Sequence, residues 1–479
     1  MNAPYARSAA NLIFSGWYWA VILILAVVRI YAVAAYDGTG FPDRFLYLNY
    51  ADMILSGSTW LHELEVDPLP STGFRAIGFP LILAAAKFVS GDHFVFVVQC
   101  LQTFVSLIAC TYLFAAVSRL LSSDAGAFIA TLGYGLSVGL AYETSLLPDS
   151  IFISCWIIIV SVCVIRWLDR RPLSLVAALL LGLLALPIVC MRGNGIHMLI
   201  LAVPVITLAS IDRSAGWIRS AAACILVFLP GLVAYAGVME WNRYRTGDAF
   251  FTTGGQIALV QPVFEMARLG AEPFEGDDPL RTAIRTHAPD LTYEQIYDVN
   301  RHLFSDQGMS PHEIARANMS LYLDTVFDNP AIFARMWFRN FDEKFASGLI
   351  NPAFGLNQAH LLMTGDRAFP GYSTIMRGGA QGPTSYVYAG LYTVGLLLSV
   401  VIFAAAVLLA PLRIIRRTVL ARLDRPTIAA AALWIVSIMV HAYYGALFVE
   451  LRYVVMTVPF LAAVGLWSFR PRDSGSFRR

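Results

Sequence analysis

Five short polar patterns in this 479-residue chain set carboxylates and arginines at spacings that could do chemistry. Asp43 opens Asp43-Arg44-Phe45-Leu46-Tyr47-Leu48-Asn49-Tyr50-Ala51, and Arg75 opens Arg75-Ala76-Ile77-Gly78-Phe79-Pro80-Leu81. Glu143 and Asp149 share one stretch, Arg192 sits in Met191-Arg192-Gly193-Asn194-Gly195, and Glu450-Leu451-Arg452-Tyr453 lies farther on. A positioned carboxylate takes a proton from an attacking hydroxyl, and the planar guanidinium fork clamps a phosphate through parallel N–H bonds. Each group also has a plainer reading. Asp43 and Asp149 can offset a helix macrodipole, Arg75 and Arg192 can snorkel to lipid phosphates, and Glu450 can pair locally with Arg452. His441 reads as a packed residue in preference to a metal ligand.

Composition decides what must hold these residues. The chain is 58% hydrophobic and only 14% charged, with a mean hydropathy of +0.64. A soluble domain holds about 45–50% apolar and 25% charged residues. Ten apolar segments predict membrane spans near residues 13–35, 94–118, 125–142, 150–168, 173–190, 196–211, 216–238, 385–411, 427–447 and 453–469. The first is too long for a signal-peptide core and has no small-residue cleavage site, so it reads as a retained helix. The fold class is therefore an all-α polytopic membrane protein, with helices lying at the outer face and an outward, mainly helical soluble region. The six cysteines all fall in apolar runs and read as small buried hydrophobes. Near-neutral net charge, +2, argues against nucleic acid.

Charge sets the orientation. The short basic segments around Arg7, Arg119, Arg166–Arg171, Arg213–Arg219, Arg413–Arg425 and the Arg470–Arg479 tail carry 16 Lys+Arg against 5 Asp+Glu. The rest of the chain carries 18 against 27. Cytoplasmic loops keep Lys and Arg, so all five polar patterns are expected on the opposite, outward face, with both termini inside. Residues 1–238 then form an N-terminal transmembrane module whose first outward loop, 36–93, holds Asp43 and Arg75. Residues 239–384 form an outward region with 17 of the 32 carboxylates, and 385–479 add the last transmembrane helices. Asp43–Ser56 and Gly78–Val89 are too short to span and read as interfacial or re-entrant helices. Apolar spacing predicts helices over 291–304, 311–327 and 330–345. Gly, Pro, Asn and Ser in 348–383 predict a loop or lid. Arg29 is the chief charge inside a span and is expected to snorkel outward.

In order and placement these patterns resemble the GT-C type of membrane glycosyltransferases that use polyprenyl-phosphate sugars, near protein O-mannosyltransferases and lipid A aminoarabinose transferases. The likeness covers the first six helices and the last. It implies sugar transfer from a polyprenyl-phosphate donor to a cell-envelope acceptor (glycolipid, polysaccharide or protein) at the periplasmic face of a bacterial inner membrane. Asp43 would be the base, with Glu143 or Asp149 positioning acceptor or metal. Tyr47, Arg75, Arg192, Asn194, Glu450, Arg452 and Tyr453 would bind substrate. A divalent metal stays open, since such enzymes differ in metal dependence. A transporter or lipid-linked sugar flippase, which would line a path with charges inside the spans, and a surface polysaccharide polymerase or ligase are the alternatives.

The charge pattern makes a direct prediction about sidedness. Single cysteines placed at Gly276 and Ser476 should react with an impermeant thiol reagent from opposite sides of the membrane. Reaction of both from one side would rule out this topology.

Overall fold

The computed structural model describes residues 15–38, 41, 43–57, 74–211, 216–347, 351–379, 382–420, 423–447 and 451–470. Helix α1 (Gly16–Ala35) is followed by two short helices, α2 (Arg44–Leu55) and α3 (Gly78–Ser90). At ~1.5 Å per residue neither reaches across the ~30 Å hydrocarbon layer. The chain breaks at Gly91, whose φ is +54°, before α4 (Phe94–Leu121) begins. Then come α5 (Asp124–Gly135), α6 (Gly139–Thr144), α7 (Asp149–Leu168), α8 (Leu175–Met191), α9 (Gly195–Leu201), α10 (Val203–Ser210) and α11 (Gly216–Thr246). Among the described residues, six helical stretches are long and apolar enough to cross a membrane, and Leu175–Met191 and Val458–Ser468 are shorter apolar helices. The chain is an all-α polytopic membrane protein.

The start of α1, the α4–α5 turn and the end of α7 meet at one end of the bundle. There Ser15 donates to Asp124 at 2.9 Å and Arg119 pairs with Asp169 at 3.0 Å. Arg470 donates to the carbonyl of Leu120 at the same end. Arg7 and Arg213 lie outside the described residues, as does the tail beyond Arg470.

Several legs are broken where a single span is predicted. The 125–142 segment stops at Gly135 and restarts at Gly139, with Ser137 accepting from the Gly139 N–H. A Cβ at Gly135 would stand 2.5 Å from the Leu25 side chain of α1, which packs closely on the break. Residues 196–211 divide at Ala202, just before Pro204. Cys110, Cys155 and Cys163 are buried as expected, whereas Cys190 and Cys224 are only partly buried and Cys100 on α4 is exposed.

Residues between Ile257 and Met336 share a second core with Phe74. Helices α12 (Val260–Arg268), α13 (Pro279–His287), α14 (Gln295–Ser305), α15 (Pro311–Asp328) and α16 (Pro330–Ser347) follow in order. Buried Val263, Phe264, Ile284, Val299, Leu303 and Ile314 join them. The predicted start of α15 is a full capping box between Ser310 and Glu313. Residues 352–364 are not a loop or lid. Asn351 caps the N-terminus of α17 (Pro352–Thr364), Pro352 opens it, and Gly365 at φ +80° closes it. It packs on the membrane helices, with His360 Nδ1 2.8 Å from the Tyr36 hydroxyl.

The last legs are α18 (Pro383–Ala404), which continues through a π-turn into α19 (Ala410–Val419), then α20 (Arg425–Ala446) and α21 (Val458–Ser468). The α18–α19 leg overruns the predicted 385–411. Trp434 donates to the carbonyl of Ala406 in the π-turn, and Arg413 to the C-terminal carbonyls of Trp467 and Ser468. At the other end of α20, Trp337 and Asn340 of α16 and Tyr322 of α15 donate to the carbonyls of Ala442, Gly445 and Ala446. The orphan carbonyls of that helix end thus dock the polar region onto the bundle.

Arg29 does not snorkel. It is 1% exposed and pairs with Glu143 at 2.6 Å, and Ser106 donates to the same carboxylate at 2.7 Å. Removing one member of a buried pair strands the other charge and costs ~3–5 kcal/mol. Arg29→Ala should therefore cut folded yield and melting temperature sharply, and Arg29→Met with Glu143→Leu should restore much of both. A parent-like melt for Arg29→Ala would show that the pair does not hold α1 in place.

Candidate active site

Close approaches at four glycines bring the arginine turns together. A Cβ at Gly78 would lie 2.7 Å from the carbonyl of Cys190, so the start of α3 abuts the end of α8. Arg75 and Arg192 flank that junction in sequence. A Cβ at Gly195 would fall 1.8 Å from the carbonyl of Ile188, which folds the Arg192–Gly195 turn tightly onto α8. Residues 250–254 touch both turns: a Cβ at Gly193 would meet Thr252 Oγ1 at 2.6 Å, and one at Gly254 the carbonyl of Phe74 at 2.4 Å. Asn242 on α11 holds this strip by donating to the carbonyls of Phe250 and Phe251. The sequence reading gave this strip no role, although Gly254-Gly255 was a visible sign of close backbone approach.

Asp43 stands at the N-cap position of α2, but it has helical dihedrals and makes no capping bond. The macrodipole reading therefore does not account for its side chain. Its two oxygens face two arginines instead, Arg75 Nη2 at 2.9 Å and Arg452 Nη1 at 3.3 Å. Burial disfavours the charge of this carboxyl, but Arg75, Arg452 and Arg192 outweigh that and hold its pKa below the ordinary value. Arg75 also lies over the rings of Phe74 and Tyr47, 4.8 and 5.3 Å from their centres. The buried Tyr47 packs edge-on against Phe79.

Asp149 is the first residue of α7, 2% exposed, and its carboxylate accepts from Arg192. The Arg192 guanidinium lies 4.6 Å from the centre of the Tyr453 ring, and that of Arg452 lies 5.2 Å from it. Tyr453 stacks on Tyr444 at 4.8 Å, whose hydroxyl accepts from Asn194 at 2.7 Å. Nine of the residues singled out from sequence have placed contacts, and eight of them share this cluster: Asp43, Tyr47, Arg75, Asp149, Arg192, Asn194, Arg452 and Tyr453. Glu143 does not share it, because its carboxylate is taken up by Arg29 and Ser106. Of the two acids left open between α5 and α7, Asp149 is the one that meets an arginine of the cluster. Glu450 lies outside the described residues. His441 is packed, with Nδ1 2.8 Å from the carbonyl of Ser437.

Among the described residues, three guanidinium groups meet two carboxylates here. The Nε of Arg75 is buried with no hydrogen-bond partner. An anion with several oxygens suits such a set. Among the described residues no three His, Cys, Asp or Glu side chains gather as metal ligands.

No protein-family model matches the chain, and no curated protein matches it. Among solved structures it is similar to the oligosaccharyltransferase AglB from Archaeoglobus fulgidus in complex with an inhibitory peptide and a dolichol-phosphate, at 13% identity and a TM-score of 0.47. That match covers 95% of this chain and 50% of the other, so the chain spans about half the length of AglB. It is also similar to ArnT from Cupriavidus metallidurans bound to undecaprenyl phosphate, at 13% identity and a TM-score of 0.34, over 94% of this chain and 77% of that one.

The depressed pKa of Asp43 fixes a pH dependence. Its ion pairs stabilise the fold fully above the unfolded carboxylate value of ~3.9 and are lost as pH falls through the lower folded value. Melting temperatures of parent and Asp43→Asn should differ by a constant amount from pH 7 to about 5 and converge below about 4. A gap that widens on acidification would contradict these pairings.

Proposed function

We propose that the chain is a GT-C type glycosyltransferase that moves a sugar from a polyprenyl-phosphate donor to an acceptor of the cell envelope. The observation that carries the reading is the convergence of Arg75, Arg192 and Arg452 on Asp43 and Asp149 at the end of the bundle opposite the basic turns. On this reading the basic turns and both termini are cytoplasmic, and the site faces the periplasm from a bacterial inner membrane. Residues 1–238 are the catalytic module, 239–384 the outward region and 385–479 the closing helices.

The chemistry follows from the charges. An acceptor hydroxyl attacks the anomeric carbon, its proton passes to Asp43, and the bond from that carbon to the phosphate oxygen breaks. The phosphate leaves with the electron pair, and the arginines stabilise the charge that develops there. Phosphate is a good leaving group, so a base and a cationic cradle suffice. Resting Asp43 is a weak base, because two arginines hold it ionised. A donor phosphate competes for those same guanidinium groups, and drawing them off raises the basicity of Asp43 only when donor is bound. Asp149 keeps Arg192 charged and oriented, and Tyr453 and Tyr47 give the guanidinium planes faces to rest on. Asn194 steadies Tyr453 through Tyr444.

Asp43→Asn tests the assignment, since it keeps the size of the side chain and removes charge and basicity. Transfer of labelled sugar from a polyprenyl-phosphate donor to host envelope acceptors should fall by roughly 10²–10⁴-fold at matched membrane levels. Parent-like transfer would remove Asp43 from the mechanism.

A further inference from the structure

Helix α7 runs from Asp149 in the cluster to Leu168 at the other end of the bundle, where a strained turn follows that the proposed reaction does not use. Its 20 residues, at ~1.5 Å each, match the ~30 Å hydrocarbon layer, so the turn emerges at headgroup level. The turn closes as a Schellman motif, in which the Arg171 N–H donates to the carbonyl of Arg166 and the Arg170 N–H to that of Trp167. Arg170 is the left-handed residue of the motif, with φ +57°. Glycine is the usual residue there, because it alone lacks the Cβ that this conformation crowds. A long charged side chain kept at such a position points to a use for it.

The motif sets three arginines on one short turn. Arg170 and Arg171 are exposed and Arg166 is half-buried, and among the described residues none of the three meets a carboxylate. The acids adjacent in sequence are already engaged, Asp169 by Arg119 at 3.0 Å and Asp424 by Arg417 at 2.6 Å. Arg425 of α20 stands at the same turn. Its Nη1 donates to the Trp167 carbonyl that also accepts from the Arg170 N–H, and its guanidinium lies 4.5 Å from the centre of the Trp167 ring. Trp167 Nε1 donates back to the Arg425 carbonyl at 3.0 Å. Just beyond the turn Ser174 caps α8, and Val176, Leu179, Leu180 and Leu183 form an exposed apolar stripe along its first turns. Guanidinium groups at headgroup level beside an apolar stripe match a phosphodiester with its acyl chains.

We infer that the α7–α8 turn is a binding site for an anionic phospholipid of the bilayer, with Arg170, Arg171 and Arg425 facing the phosphate and the stripe of α8 running along an acyl chain. A zwitterionic lipid brings its own ammonium group, which the arginines repel, so the site selects for net negative charge. The Arg425–Trp167 contacts let one headgroup brace α7 against α20. The site lies apart from the Asp43 cluster and does not rest on the transferase reading.

Native mass spectrometry of the full chain, released from detergent micelles, can compare binding of dioleoyl phosphatidylglycerol with that of dioleoyl phosphatidylcholine. The parent should prefer the anionic lipid. That preference should fall about fivefold in Arg170→Gly and again about fivefold when Arg171→Gln is added, the effect of one arginine near an anionic surface. Arg170→Gly should melt no lower than the parent in phosphatidylcholine nanodiscs, because glycine suits the left-handed position, so its lost preference cannot be laid to misfolding. Arg416→Gln removes an exposed arginine of α19 and should leave the preference unchanged. Equal binding of the two lipids by the parent overturns the site, and so does a parent-like preference in the Arg170→Gly, Arg171→Gln double variant. An equal loss in Arg416→Gln also overturns it, by showing attraction to overall charge and not to the turn.

Discussion

Like charges crowded at a membrane surface repel, and Arg75, Arg192 and Arg452 feel one another through the cluster. Two carboxylates answer them unequally. Asp149 is buried and engaged by Arg192 alone, whereas Asp43 is shared between Arg75 and Arg452 at looser distances. The first behaves as a fixed counter-ion. On the proposed reading the second is the one a donor phosphate would displace, because it is partly open to solvent and its two partners come from separate turns. The asymmetry would let one cluster both bind and react.

Holding that arrangement falls to backbone contacts more than to side chains. The start of α3, the end of α8 and the strip at 250–254 meet at distances that leave no room for a Cβ at Gly78, Gly195 or Gly254. On the far side, the carbonyls at the end of α20 anchor α15 and α16. The polar region is thus tied to the bundle both through the core that receives Phe74 and Leu46 and through a helix terminus. Arginine turns and outer core cannot shift independently.

Much of this was legible in the residues. Apolar length gave the all-α membrane class, since it follows from solvation and is local in sequence. Asp43, Arg75, Arg192 and Arg452 stood out because charged residues next to apolar helices ask for partners. What sequence could not supply was pairing at long range. Arg29 and Glu143 are 114 residues apart, and only their meeting inside the bundle explains both. Composition misled at 352–364, where Asn351, Pro352 and Gly365 bound a helix and do not mark a loop.

The Arg29–Glu143 pair bears on how the chain is made. A charged residue at the middle of a first helix opposes insertion by ~2.5–3.5 kcal/mol on translocon scales. Its partner emerges 114 residues later, which at about 5–20 residues per second is roughly 6–20 seconds of synthesis. Until then the guanidinium has only the Leu25 carbonyl of its own helix and, once α4 is made, the Ser106 hydroxyl to bond. The charge match between α1 and α6 can therefore close only after four further helices have been synthesised.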